Sequence, residues 1–349
     1  MEIFIRCNAS TEVGTGHFQR CLTLASYLVA SGATVSWILN QEAKDLFSNE
    51  LTGYQTGYVR SSLSELEDAK CSARFITENR KSNETICIVD SYTLGKQWEE
   101  CIKTTGVKLV VIDDLERVHT CDLLVDQNYK VNQAQSYPDL PKQCTKLLGP
   151  SYALLNTTYR EALKNIKPIE TRKPHVLICY GGSDPKRETE KALSALLKTD
   201  TLDTKFSIIA GPGYPAKESL SALLKSQSGQ TIDNFTIIDS PNNMAELLAQ
   251  SSFSIGAGGT MHWERCCLGI PTITTSIAEN QIPASEALSK AGAIHYLGSS
   301  HTVTEQEILQ AYLKLRNNKK ELVEMSLHAM KIVDGNGCSR VADAIRSLF

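Results

Sequence analysis

The chain has 349 residues, with 36 Lys and Arg against 39 Asp and Glu, a formal net charge of −3. That length suits two domains of ordinary size, each able to bury a core. The near-balanced charge gives no general attraction to nucleic acid or to a membrane surface, so any phosphate must be held by a local device. The opening residues Met1-Glu2-Ile3-Phe4-Ile5-Arg6 show no basic stretch followed by a long apolar core, and no apolar run approaches the length of a bilayer span. A cytoplasmic protein without stable membrane association is expected. The 11 cysteines are scattered without a C-x-x-C pair, which reads as small buried apolar residues and not as disulfides or a zinc site.

Apolar runs rich in β-branched residues alternate with helix-period segments, the pattern of parallel sheets with crossover helices. In chain order the first half predicts strands at 2–7, 34–39, 85–89, 108–112, 123–125 and 146–148. A second series follows at 175–179, 206–209, 235–238, 253–255 and 272–274. Their continuous apolar character fits strands covered on both faces. Between the series, 158–173 is polar and charged, contains Lys167-Pro168 and closes on Arg172-Lys173-Pro174, so it reads as a linker. The expected fold is α/β, two Rossmann-like doubly wound domains at 1–158 and 174–334, facing across a cleft with a ligand at the carboxyl ends of both sheets. The last segment carries Val341, Ala342, Ile345 and Leu348 at helical spacing. It is expected to form a final helix, 337–349, that packs back on a domain.

The first strand leads through Gly14-Thr15-Gly16-His17 into a helix whose apolar face is Cys21, Leu24, Ala25 and Leu28. His17 falls in the opening turn of that helix, where the positive end of the dipole favours the neutral ring able to accept a proton. That suits a general base; a histidine bonded to a neighbouring carboxylate is the plainer alternative. Asp90-Ser91-Tyr92 and Asp113-Asp114 each end a strand of the first half, the edge where doubly wound sheets keep their chemistry. No D-x-D or H-x-x-H cluster completes a metal shell, so chemistry without metal or cofactor is expected.

In the second half, Gly181-Gly182-Ser183-Asp184-Pro185 makes a strand-to-helix turn with capping residues. Gly256-Ala257-Gly258-Gly259-Thr260 makes another after the run Phe253-Ser254-Ile255. Glycines let the backbone approach a phosphate, and the unpaired N–H groups of the first helical turn point at it. Glu264 stands four residues after Thr260 and so shares its helical face, offering a carboxylate to a sugar hydroxyl beside a hydroxyl for a phosphate. Asn280, in Ala278-Glu279-Asn280-Gln281, follows the last predicted strand and suits sugar hydroxyl or N-acetyl groups. The set fits a small-molecule nucleotide sugar.

Taken in order, Gly14-Thr15-Gly16-His17 with Arg20-Cys21-Leu22, Asp126-Gln127-Asn128, Leu148-Gly149-Pro150-Ser151-Tyr152-Ala153-Leu154-Leu155, Gly181–Pro185, Gly256–Glu264 running into Arg265-Cys266-Cys267-Leu268-Gly269-Ile270-Pro271, Ala278-Glu279-Asn280-Gln281 and Asp334-Gly335-Asn336-Gly337 resemble the PseG family. These are the UDP-2,4-diacetamido-2,4,6-trideoxy-β-L-altropyranose hydrolases of pseudaminic acid biosynthesis. The resemblance implies a glycosyltransferase-B-like fold similar to MurG and hydrolysis of that UDP-sugar. It implies His17 as general base, with Gly14, Thr15 and Gly16 on its approach. It places Thr260 and Glu264 at the diphosphate and ribose and Tyr92 and Asn280 near the sugar. Gly182, Ser183, Gly258 and Gly259 are expected among the substrate-binding residues, the turn at Gly182 and Ser183 either shaping the cleft or simply opening its domain. One position departs from the family pattern: Asn156 stands where an arginine is expected, with Arg160 one turn on. A glycosyltransferase of the same fold and a non-catalytic sugar-nucleotide binder are the alternatives.

Overall fold

A computed structural model describes residues 1–9, 16–199, 203–211, 213–226, 232–239, 241 and 243–349. The first half contributes β1 (Glu2–Cys7), β2 (Thr34–Asn40), β3 (Gln55–Val59), β4 (Thr85–Asp90), β5 (Lys108–Ile112), β6 (Leu123–Asp126) and β7 (Thr145–Leu148). They form one sheet in the order β3-β2-β1-β4-β5-β6-β7, and each adjacent pair is parallel. Successive side chains of a strand point to opposite faces, and in β1 both faces are apolar. Ile3 and Ile5 pack with Leu24 and Leu28 of the helix Gly16–Ala30 and with Val341 and Ile345 of the helix Gly337–Arg346. Phe4, between them in sequence, packs on the other face with Ile76 and Trp98 from the helices Glu65–Asn79 and Lys96–Lys103. This two-sided burial explains why the strands read as unbroken apolar runs.

The second half builds an all-parallel sheet from β8 (His175–Cys179), β9 (Lys205–Ile209), β10 (Phe235–Ile238), β11 (Phe253–Ala257), β12 (Thr272–Ser276) and β13 (His295–Ser299). Its order is β10-β9-β8-β11-β12-β13. Val176, Ile178, Ile208, Ile255 and Ile273 meet Leu193, Leu220, Ile308 and Tyr312 in one core. The two doubly wound parallel sheets expected from the alternation are thus both present. Each reverses strand order once, between β1 and β4 and between β8 and β11. In open α/β sheets such reversals open a crevice at the carboxyl ends of the strands, where ligands bind.

Two strands lie outside the sequence expectation, β3 and β13. Each is the last strand at one edge of its sheet and carries a glycine, Gly57 or Gly298; β13 is half-buried throughout, and β3 buries only Val59. Strands this exposed and broken by a glycine bury too little apolar surface to show a continuous apolar run.

The chain divides into two compact units, Met1–Leu155 with Asn336–Phe349, and Asn156–Gly335. The boundary therefore falls at Leu155, and 158–173 is not a spacer. Thr157–Lys164 is a helix of the second unit, packed on the helices Met244–Gln250 and Thr260–Cys267. Only Tyr159 of that helix is buried, which is why it reads as polar linker. Asn156 caps it, its side-chain oxygen accepting from the Thr158 N–H at 3.0 Å, and Arg160 is exposed.

Gly256 pairs with Cys179 across β11 and β8. A Cβ there would lie 1.8 Å from the Cys179 carbonyl oxygen and 2.5 Å from the Arg265 guanidinium. The first obstacle is backbone, so relief means parting the two strands at the reversal. Gly256→Ala is expected to destabilise by about 1–3 kcal/mol or more, read as a lowered urea midpoint with an unchanged slope.

Candidate active site

In the first unit the site is built at the β1/β4 reversal. Gly14 and Thr15 lie outside the described residues. Gly16 opens the helix Gly16–Ala30, is exposed, and has no atom within 4 Å of where a Cβ would stand. His17 follows in the first helical turn with 6% of its surface exposed. Its Nδ1 is 2.5 Å from Oδ1 of Asp90, the fully buried last residue of β4. Because β4 lies beside β1, Asp90 reaches the helix that follows β1 although 73 residues separate the pair.

Arg20 clamps the same carboxylate. Its Nε donates to Oδ2 at 2.5 Å and an Nη donates to Oδ1 at 2.6 Å, the two-pronged geometry that a guanidinium offers a carboxylate. Burial by itself would raise the Asp90 carboxyl, but the Arg20 and His17 charges beside it hold it well below the usual carboxylate range. An ionised Asp90 must accept, so the proton sits on His17 Nδ1 and Nε2 becomes the basic nitrogen. Arg20 also reaches Asp114 at 3.5 Å, and the Tyr92 hydroxyl donates to that same Asp114 oxygen at 3.2 Å. Burial first, and Asp114 second, push the Tyr92 hydroxyl up, so it stays a neutral donor. The Tyr92 ring meets the imidazole edge-on, 4.4 Å between centroids at 82°. The structure therefore brings His17 and Tyr92 together through Asp90, Arg20 and Asp114.

A second buried network holds the Tyr92 loop. Arg117 donates to the carbonyls of Ser91, Tyr92 and Leu94 at 2.7, 3.1 and 3.0 Å, and its Nε donates to Asp113 at 2.8 Å. His119 stands between Glu99 at 2.5 Å and Asp113 at 3.4 Å. Burial would lower this imidazole, but hydrogen bonds to Asp113 and Glu99 and their charges outweigh it and raise the ring to about 9. A raised cation stabilises the fold fully below its unfolded value of about 6.5, and that contribution is lost as pH rises through about 9. Stability is therefore expected to fall between pH 6.5 and 9, measured as the urea midpoint, and the fall to flatten in His119→Asn.

In the second unit Gly181 adopts φ +99°, and Asp184 accepts from the Glu188 and Thr189 N–H groups at 3.0 and 2.8 Å, capping the helix Glu188–Leu196. Between them, the Gly182 carbonyl accepts from the Gly213 N–H at 3.0 Å. A Cβ on Gly213 would lie 3.2 Å from that of Ser183, so two small-residue loops touch. At the neighbouring strand β11, Gly259 at φ +73° starts the helix Thr260–Cys267. Gly258 is buried, and a Cβ on it would stand 2.8 Å from His262 Nε2 and 3.3 Å from the Gln281 Cβ. The Glu279–Gln281 turn that carries the half-buried Asn280 thus lies against the Gly258-Gly259 turn.

Thr260 and Glu264 lie one turn apart on that helix, both half-buried. Burial raises the Glu264 carboxyl, and one of its oxygens takes a hydrogen bond from Tyr159. Its Oε2 is buried with no hydrogen-bond partner among the described residues. A buried acceptor without a donor is costly, and a ligand hydroxyl would satisfy it. His262 is driven down to about 3, first by burial and then by Arg265, so its ring is neutral beside Ser285 at 2.9 Å.

Three supporting residues were not legible as such. Asp90 stood out only as a strand end, and Arg20 and Arg265 only as letters of a shared motif. Arg265 is buried and donates to the Ala257 and Cys179 carbonyls at 2.7 and 2.9 Å. It ties together the ends of β11 and β8, the strands on either side of the reversal, and so holds both glycine turns. Among the described residues no group of three or more His, Cys, Asp or Glu could hold a metal ion, and no helix is long and apolar enough to cross a membrane.

A family model described as a protein of unknown function (DUF354) matches residues 225–330. The chain is 23% identical over 356 residues to the spore coat polysaccharide biosynthesis protein SpsG of Bacillus subtilis, covering 100% of this chain and 99% of that one. It is 25% identical over 295 residues to the UDP-2,4-diacetamido-2,4,6-trideoxy-β-L-altropyranose hydrolase of Campylobacter jejuni, covering 84% of this chain and 97% of that one. The resemblance read from the ordered motifs is borne out by that relative. Among solved structures, MurG of Acinetobacter baumannii superposes with a TM-score of 0.70 at 16% identity, covering 99% of this chain and 100% of that one. The fold is glycosyltransferase-B-like.

Proposed function

We propose that this chain is an enzyme of nucleotide-sugar metabolism that hydrolyses a UDP-sugar, with UDP-2,4-diacetamido-2,4,6-trideoxy-β-L-altropyranose as its substrate. The observation that carries the reading is the clamped pair His17–Asp90, an imidazole whose Nδ1 is committed to an ionised, Arg20-bound carboxylate. Its Nε2 takes a proton from water as the water attacks the anomeric carbon. The bond from that carbon to the UDP oxygen breaks, and UDP departs with the electron pair. Direct displacement by one base and one water inverts the anomeric centre.

UDP is a good leaving group, so the second unit needs only to hold and stabilise it. The N–H groups opening the helix at Thr260, approached through Gly258 and Gly259, suit the diphosphate, with Gly182 and Ser183 on the adjacent strand end. The orphaned Glu264 oxygen suits a ribose hydroxyl. Asn280 and Tyr92 suit the sugar, and Gly14, Thr15 and Gly16 the approach to the base. Protein groups supply every role in this scheme, so the reaction runs without a metal ion. The choice of sugar is supported by the Campylobacter relative's name and 84% coverage.

The likeness to MurG favours a second reading, transfer of the sugar to an acceptor hydroxyl by the same base. NMR of the protein with the UDP-sugar and no acceptor separates the two. Prompt release of UDP and free sugar of inverted configuration is expected; an unconsumed substrate that turns over only when an acceptor is added overturns hydrolysis.

A further inference from the structure

Away from the carboxyl ends of the first sheet, two thiols meet. Cys121 precedes β6 by two residues and Cys144 immediately precedes β7, and these neighbouring strands pair in parallel. The pairing continues into the approach, where the Thr145 N–H donates to the Asp122 carbonyl at 3.0 Å. It brings the two sulfurs to 3.5 Å. Both cysteines are free thiols; Cys121 is 1% exposed and Cys144 is half-buried and reachable from solvent. Sulfurs already in contact need only a small approach to reach bonding distance.

We propose that Cys121 and Cys144 form an oxidation site, a dithiol that hydrogen peroxide or a comparable small hydroperoxide converts reversibly into a disulfide. The Cys144 thiolate attacks one peroxide oxygen, so an S–O bond forms and the O–O bond breaks. The departing hydroxide takes the Cys121 proton and leaves as water. The Cys121 thiolate then attacks the Cys144 sulfur; the S–S bond forms, the S–O bond breaks, and hydroxide leaves and is protonated by solvent. Two thiols and one peroxide become one disulfide and two waters, the sulfurs oxidised and the peroxide reduced.

The environment assigns the two roles. The hydrogen bond from Cys121 lowers the Cys144 thiol, with Lys146 and Lys103 adding to the effect against burial and Asp122. The same bond, with burial, raises Cys121. The more exposed sulfur is therefore the better thiolate, as a peroxide-reactive cysteine requires, and the buried one resolves it. The bond would close the chain from β6 to the start of β7, a segment holding Asp126, Lys130 and Tyr137. It lies at the opposite strand ends from Asp90.

The test is peptide mapping without reductant after treating the folded protein with equimolar hydrogen peroxide. A Cys121 peptide joined to a Cys144 peptide, lighter by two hydrogens and separated again by dithiothreitol, is expected. Exposed Cys71 is expected to lag behind it. A folded protein that oxidises at Cys71 or Cys101 with no Cys121–Cys144 link overturns the proposal, as does a link that appears only in urea. In Cys121→Ser, dimedone should label Cys144 as a sulfenic acid; labelling of Cys121 in Cys144→Ser at an equal rate would overturn the assignment of roles. If either variant fails to fold, the wild-type map decides the pairing alone.

Discussion

Replacing His17 by glutamine is expected to lower kcat for UDP-sugar hydrolysis by on the order of a hundredfold or more, with UDP affinity nearly unchanged. The amide can keep a hydrogen bond to Asp90 but cannot take a proton from water. The nucleotide contacts proposed for Gly258, Gly259, Thr260 and Glu264 belong to the second unit, so the substitution leaves them intact. Coupled detection of UDP release gives kcat, and calorimetry gives UDP binding. A variant hydrolysing at nearly the native rate would move the base elsewhere. A variant losing UDP affinity and rate together would mean that His17 binds the nucleotide instead of acting on water.

Asp90→Asn should cost both activity and stability. The amide has nearly the shape of the carboxylate, but it no longer neutralises Arg20. That guanidinium is left buried with Asp114 at 3.5 Å as its remaining acidic partner. Breaking one side of a buried pair typically costs about 3–5 kcal/mol, and the loss should appear as a reduced urea midpoint. The amide can also present its N–H side to His17, which reverses the ring's proton placement. A comparable exchange behind a catalytic histidine elsewhere lowers kcat by about ten-thousandfold, so a fall of about a hundredfold or more is expected here. Unchanged stability would show that Arg20 finds another acceptor.

The same pair sets an acid limit. The folded Asp90 carboxyl lies below its unfolded value of about 3.9. Its contribution is therefore complete above that value and is lost as pH falls toward the folded one. Asp113 is held low as well, by His119 and Arg117 against its burial. Asp90→Asn should therefore blunt the acid loss of stability without abolishing it.

What the sequence determined by itself was carried by neighbouring residues in the strongly buried elements and the glycine turns. The interior strands were legible because burial on both faces demands continuous apolar runs. The glycine turns were legible because close backbone approach and a left-handed φ, as at Gly181 and Gly259, leave a visible mark. His17 was placed in a first helical turn by the apolar spacing that follows it, and Glu264 on the face of Thr260 by a four-residue interval.

Tertiary structure alone decided the partners. Asp90 reaches His17 and Arg20 only because β4 inserts beside β1, and no local pattern encodes which strands become neighbours. Arg265 looks like an ordinary last-turn helix cation until β8 and β11 lie side by side and offer it two carbonyls. The edge strands β3 and β13 and the helix Thr157–Lys164 escaped for the converse reason. They bury little, so their sequences are under weak apolar constraint, and it is pairing and packing that give them their form. Short-range periodicity records what a segment must cover. Which charge meets which is settled by strand order, a property of the whole chain.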